Sequence, residues 1–100
     1  MKMLYDITPE VKQELRESLD ALLAQVSQHK SSSSKKIARL ILNLSDRRRE
    51  CELWSTLINL DEENTDLVMV LINFTAYYYG HEIKNMISDE MYDLLESRAK

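Results

Sequence analysis

Glycine and proline are nearly absent from this sequence, which has one of each among its 100 residues. Two-residue β-hairpin turns depend largely on glycine, so a fold rich in hairpins is disfavoured. A single glycine also excludes the nucleotide-binding motifs that are built on glycine-rich phosphate loops. The many Leu, Glu, Lys, Arg and Ala residues favour helices instead. The sequence therefore predicts an all-α fold.

Cysteine and histidine are also scarce, with one cysteine and two histidines. Cys51 has no second cysteine for an internal disulfide, and the N-terminal residues lack the apolar region of a signal peptide, so we expect a cytoplasmic protein. His29, His81 and Cys51 do not fall at a known metal-ligand spacing. We therefore expect no catalytic residues, no metal, no cofactor and no small-molecule substrate, which indicates that the chain is not an enzyme.

No apolar stretch is long enough for a membrane span. The longest covers residues 67–79, whereas a bilayer-spanning helix needs about 20 residues. We therefore expect no contact with a membrane. A helix drawn through this stretch has no consistently polar face, and such a helix needs neighbours on nearly every side. We predict that a helix of about residues 62–79, with Asp61 at its start and Gly80 at its end, is the central element of the fold.

Helix start signals and apolar spacing predict one domain over residues 1–100, folded as a compact bundle of four to five helices. Thr8 and Pro9 mark the start of the first helix, and an arm of residues 1–7 precedes it. The elements predicted after the start at Thr8 are an amphipathic helix to about Val26, a serine-rich connector at 29–34, short helices at 35–45 and within 51–60, the central helix, a loop at 81–87 and a last helix from Ser88.

Positive charge is concentrated in one segment of a chain whose formal net charge is -4. Residues 35–49 contain six basic residues and one acid, Asp46, so this segment carries +5 and the remainder carries -9. Such a patch could contact the phosphates of nucleic acid or an acidic partner. The alternative is a solvated run that pairs with Glu50 and Glu52. The basic residues concerned are Lys35, Lys36, Arg39, Arg47, Arg48 and Arg49.

Aromatic residues supply the candidate contacts to a protein partner, because tyrosine and tryptophan combine a large contact area with a hydrogen-bonding group. Consecutive tyrosines on a helix point about 100° apart, so three in a row cannot all be buried in one small core. The alternative is that they cover the end of the core with their hydroxyls in water. The candidate residues are Trp54, Phe74, Tyr77, Tyr78 and Tyr79.

One part of the chain resembles a known family. The segment SKKIARLILNL at residues 34–44, followed by ELWSTL at 52–57 and by Leu60 and Asp61, resembles a family of small proteins of unknown function that are carried by conjugative plasmids and related mobile elements. The resemblance covers residues 33–75. The family has glycine-containing turns where this chain has residues 47–50. The resemblance implies a mobile-element or phage accessory protein without catalytic residues.

These observations favour a small non-catalytic protein-binding module of the accessory, regulatory or inhibitory kind. A folded chain of this length buries only about two-thirds of the surface that the unfolded chain exposes, so part of its apolar and aromatic surface is left for a partner. The partner is another protein or a second copy of the chain in a homodimer. The alternative is a DNA-binding regulator that uses the basic segment from Lys35 to Arg49.

Overall fold

The computed structural model describes residues 8–46, 51, 53–78 and 81–100, with the side chains of residues 77, 78, 81 and 82 excepted. These residues form six α-helices and no strand, so the predicted all-α bundle is confirmed. The predicted N-terminal arm and the predicted helix end at Gly80 lie outside the described residues. The helices are α1 (Pro9–Gln28), α2 (Ser32–Ser45), α3 (Leu53–Ile58), α4 (Glu62–Tyr78), α5 (His81–Asn85) and α6 (Asp89–Ala99).

The four longest helices each begin with a side-chain cap, in which an oxygen accepts a hydrogen bond from a backbone N–H that has no partner inside the helix. The predicted starts at Thr8, Asp61 and Ser88 are confirmed. Ser31 caps α2, so the later serines belong to the helix and the connector is shorter than predicted. The short α5 lies within the predicted loop or half-turn at 81–87, so the described residues form one helix more than the four to five predicted. The capping bonds are Val11 N to Thr8 Oγ1 (3.2 Å), Ser34 N to Ser31 Oγ (3.1 Å), Asn64 N to Asp61 Oδ1 (2.8 Å) and Met91 N to Ser88 Oγ (3.1 Å).

The centre of the bundle is α2, which contacts all five other helices. Nearly every apolar side chain along it is covered, with α1 and α6 among its neighbours. The apolar face of α1, predicted from its spacing, is also buried. The fully buried large side chains of α1 and α2 are Leu15, Leu19, Leu22, Val26, Ile37, Leu40, Ile41 and Leu42.

The prediction that the helix of residues 62–79 is central is corrected by this packing. The structure places α4 against α1, α2 and α5, with Val68 and Leu71 fully buried. The other side of α4 is open, since Met69 is 37% exposed and Asn73 is exposed. A chain of this length has too few helices to enclose both α2 and α4, because a small domain keeps much of its surface in contact with solvent. The shorter α2 takes the enclosed position.

Three arginines connect the helices by donating to backbone carbonyls at the ends of other segments. Helix C-termini carry carbonyl groups without partners inside the helix and the negative end of the helix dipole, so a guanidinium is a favourable donor there. Arg98 on α6 donates to two carbonyls in the last turn of α1. The bonds are Arg98 Nε to Val26 O (3.1 Å), Arg98 Nη2 to Ser27 O (3.3 Å), Arg39 Nε to Ala99 O (2.8 Å) and Arg16 Nη1 to Met86 O (3.2 Å).

Replacement of Arg98 by methionine is expected to lower the free energy of unfolding by about 1–2 kcal/mol, because the half-buried guanidinium bonds are lost while the aliphatic stem is kept. Urea unfolding measures this change. The matched control is Lys30→Met, which removes an exposed positive charge and is expected to change the free energy by less than about 0.5 kcal/mol. An equal effect of both substitutions would show that Arg98 contributes nothing as a connection between α6 and α1.

Candidate protein-binding surface

The short helix α3 carries a cluster of large apolar side chains on the surface of the molecule. Leu53 is 44% exposed, Trp54 is 75% exposed and Ile58 is 61% exposed. Trp54 and Ile58 are four residues apart and therefore adjacent on one side of the helix, whereas Leu53 lies at the first helical position, next to Leu57. We call these three side chains the α3 face. Single exposed apolar residues are normal in proteins, so it is the grouping of three on one short helix that makes this surface the candidate contact for a partner.

The remaining apolar side chains of α3 and the residues that follow it hold the helix against the bundle. Thr56 is buried, and Leu57 and Leu60 pack against the core beside α2. The helix is followed by a tight turn, in which Asn59 N donates to Thr56 O at 3.3 Å and Leu60 N to Leu57 O at 3.4 Å. The α3 face is therefore presented by a backbone that is packed and hydrogen-bonded.

The other aromatic candidates do not join this surface in the described part of the chain. Phe74 is only 4% exposed and belongs to the hydrophobic core, so its side chain is not available to a partner. It lies three residues after Leu71 and faces the same packed side of α4. Tyr79 and the side chains of Tyr77 and Tyr78 lie outside the described residues. Trp54 is the predicted aromatic contact that the structure places on the surface.

The basic residues of α2 lie along its outer side. Lys35 and Lys36 are half-buried and Arg39 is exposed, and the spacings of three and four residues place them on neighbouring turns. Arg39 donates to the carbonyl of Ala99 and thus connects α2 with the end of α6. Arg47, Arg48 and Arg49 lie outside the described residues, so the predicted patch is placed only for its first three members.

Four acidic residues at the beginning of α4 form a surface feature that the sequence does not reveal beyond the start of a helix at Asp61. Asp61, Glu62, Glu63 and Asp66 line an open hollow of about 530 Å³ directly after α3. The structure records no ion pair for Glu62, Glu63 or Asp66 with any described residue. No group of His, Cys, Asp or Glu in the described ranges is placed to hold a metal ion. We call these four residues the acidic cluster.

Cys51, His29 and His81 are the residues that the sequence offers for nucleophilic or metal chemistry. Cys51 is half-buried, and its Sγ lies 4.0 Å from the hydroxyl oxygen of Thr56. A hydroxyl is not a base that would activate a thiol. His29 is exposed after the end of α1, and the side chain of His81 lies outside the described residues. The contact with Thr56 therefore supports a packing role for the Cys51 side chain.

No protein-family model, no curated protein and no solved structure matches this chain. Among the helices that the structure describes, none has both the length and the apolar character needed to cross a membrane.

Proposed function

We propose that this chain is a non-catalytic protein-binding module and that the α3 face is its binding surface. The observation that supports this most strongly is the 75% exposure of Trp54 beside Ile58, which is 61% exposed. Tryptophan is enriched among the residues that contribute most to binding energy at protein interfaces. Burying a large apolar side chain completely is worth about 1.5–3 kcal/mol, so covering the α3 face would stabilise a complex substantially.

The α3 face forms the centre of a larger contact, because a stable protein interface covers about 800 Å² on each partner. The polar residues around the α3 face contribute more to the choice of partner than to the affinity of binding. The resemblance of residues 33–75 to small mobile-element proteins supports an accessory role in the cytoplasm of the host. In that role, the chain regulates or inhibits its partner by occupying a surface on it.

Binding to nucleic acid has less support than binding to protein. Arg39 is engaged with the end of α6, and the net charge of -4 repels a polyanion over most of the surface. The described basic side chains on the outer side of α2 are Lys35, Lys36 and Arg39.

Photo-crosslinking in the native cell tests the proposal. A photoreactive phenylalanine analogue in place of Trp54 is expected to form covalent adducts with a partner protein after irradiation. The matched control places the same analogue at Ala24, an exposed position on α1, where we expect no such adduct. An adduct of twice the 11.8 kDa chain mass would identify a second copy as the partner. Equal adduct yields at the two positions would contradict the assignment of the α3 face.

A further inference from the structure

We infer that the segment bound by the α3 face is a positively charged amphipathic helix of the partner protein. This inference rests on the proposed function and adds the chemistry of the partner. Two features of the surface support it together. They are the apolar α3 face and the acidic cluster that follows it in the chain.

The two features are neighbours. Only Asn59 and Leu60 separate Ile58 from Asp61, so the corresponding Cα atoms lie at most about 11 Å apart. The backbone between them forms the tight turn in which Leu60 N donates to Leu57 O. A partner element that covers Ile58 therefore also comes close to Asp61, the first residue of the acidic cluster.

The charge of the segment that follows Arg49 has one sign. No lysine or arginine occurs from Glu50 to Ile83, and this segment, with Glu50 included, contains seven acidic residues. Glu62, Glu63 and Asp66 are exposed, and the structure shows no described cation that neutralises them. Like charges placed opposite each other at an interface are unfavourable, and complementary charges increase the association rate and specificity. The surface beside the α3 face therefore selects a basic partner.

A helix is the element that fits this arrangement. Its apolar side chains at intervals of three and four residues cover Leu53, Trp54 and Ile58, and lysines or arginines one turn further reach the acidic cluster. A second copy of this chain fits less well. In a two-fold symmetric pair the α3 face meets itself, and each copy brings its own acidic cluster to the edge of the same interface. The resulting repulsion disfavours self-association through this surface.

The probe for the experiment is a synthetic amphipathic helical peptide of leucine and lysine. Two control peptides accompany it, one with glutamate in place of every lysine and one with the leucine and lysine residues scrambled so that no apolar face forms. Trp54 is the only tryptophan in the chain, so its fluorescence reports directly on the α3 face. We expect the leucine–lysine peptide to shift the Trp54 emission to shorter wavelength with saturation, and both controls to bind about tenfold more weakly or worse.

Charge-neutralising variants test the acidic cluster. The triple variant Glu62→Gln, Glu63→Gln and Asp66→Asn keeps the cap at Asp61 and is expected to weaken binding of the leucine–lysine peptide about tenfold at low salt. The matched control is Asp89→Asn, Glu90→Gln and Asp93→Asn, which removes three exposed carboxylates from the corresponding positions of α6. We expect less than about a twofold effect of the control, and high salt should abolish the difference between the variants.

The outcomes separate this inference from the proposed function. If the leucine–glutamate peptide binds as tightly as the leucine–lysine peptide, or if the two triple variants have equal effects, the inference that the partner segment is positively charged is wrong. If adducts form at position 54 in the cell but no basic peptide shifts the Trp54 emission, the inferred partner chemistry is wrong while the protein-binding surface stands. The absence of adducts at position 54 would count against the surface itself. Circular dichroism of each triple variant confirms that it is folded.

Discussion

Replacement of Ile41 by alanine is expected to lower the free energy of unfolding by about 2–5 kcal/mol, which is among the largest effects of a single core truncation. Ile41 is 0% exposed and belongs to α2, the helix that contacts all five others. Truncation there removes apolar contacts and leaves a cavity that packed neighbours cannot fill completely. Urea unfolding followed by circular dichroism measures the change.

The matched control for Ile41 is Met69→Ala on α4. Met69 is 37% exposed, so its truncation is expected to cost less than about 1 kcal/mol. If Ile41→Ala does not fold, Ile41→Val keeps the comparison measurable, with an expected cost of about 0.5–1.5 kcal/mol. A cost at Met69 as large as that at Ile41 would mean that α4, and not α2, is the enclosed helix.

Replacement of Trp54 by alanine is expected to weaken binding at the α3 face by at least about 2 kcal/mol, or roughly thirtyfold, because tryptophan contributes a large contact area that becomes buried in the complex. The free energy of unfolding should change by less than about 0.5 kcal/mol, since the side chain is exposed in the free chain. Isothermal titration calorimetry with the leucine–lysine peptide, or with the partner identified by crosslinking, measures the affinity.

The controls for Trp54 are Trp54→Phe and Met69→Ala. Phenylalanine keeps an aromatic ring at the same position and is expected to retain most of the affinity, whereas Met69→Ala removes an exposed apolar side chain of α4 and should leave binding unchanged. Wild-type affinity in Trp54→Ala would exclude this residue from the interface. A large loss of stability in the same variant would mean that Trp54 supports the fold.

The helix starts could be predicted from the sequence because capping is a local interaction. Thr8, Asp61 and Ser88 each provide an oxygen for an N–H three residues later in the same segment. The position of α4 in the bundle could not be predicted in the same way. Its apolar stretch shows that the helix needs neighbours, but which helix becomes enclosed depends on how all helices pack. The carbonyl partners of Arg39 and Arg98 are likewise set by that packing, because they lie far away in the chain.

The candidate surface was predicted in part. The residue type of Trp54 makes it a candidate contact, whereas the apolar spacing predicts only that Leu53 and Ile58 belong to a short helix. A usable signal was present, since apolar residues at 51, 53, 54, 57, 58 and 60 occupy more than one side of a helix and cannot all face the core. The burial of Phe74 depends on the side that α4 turns towards α1 and α2, which a helix without a clear polar face does not reveal.

The most direct test of the protein-binding surface is the ratio of adduct yields from the photoreactive analogue at position 54 and at position 24 in the native cell. The proposed surface predicts abundant adducts with a defined protein at position 54 and background yield at position 24. Background yield at both positions would contradict the assignment of Leu53, Trp54 and Ile58 as the contact to a partner.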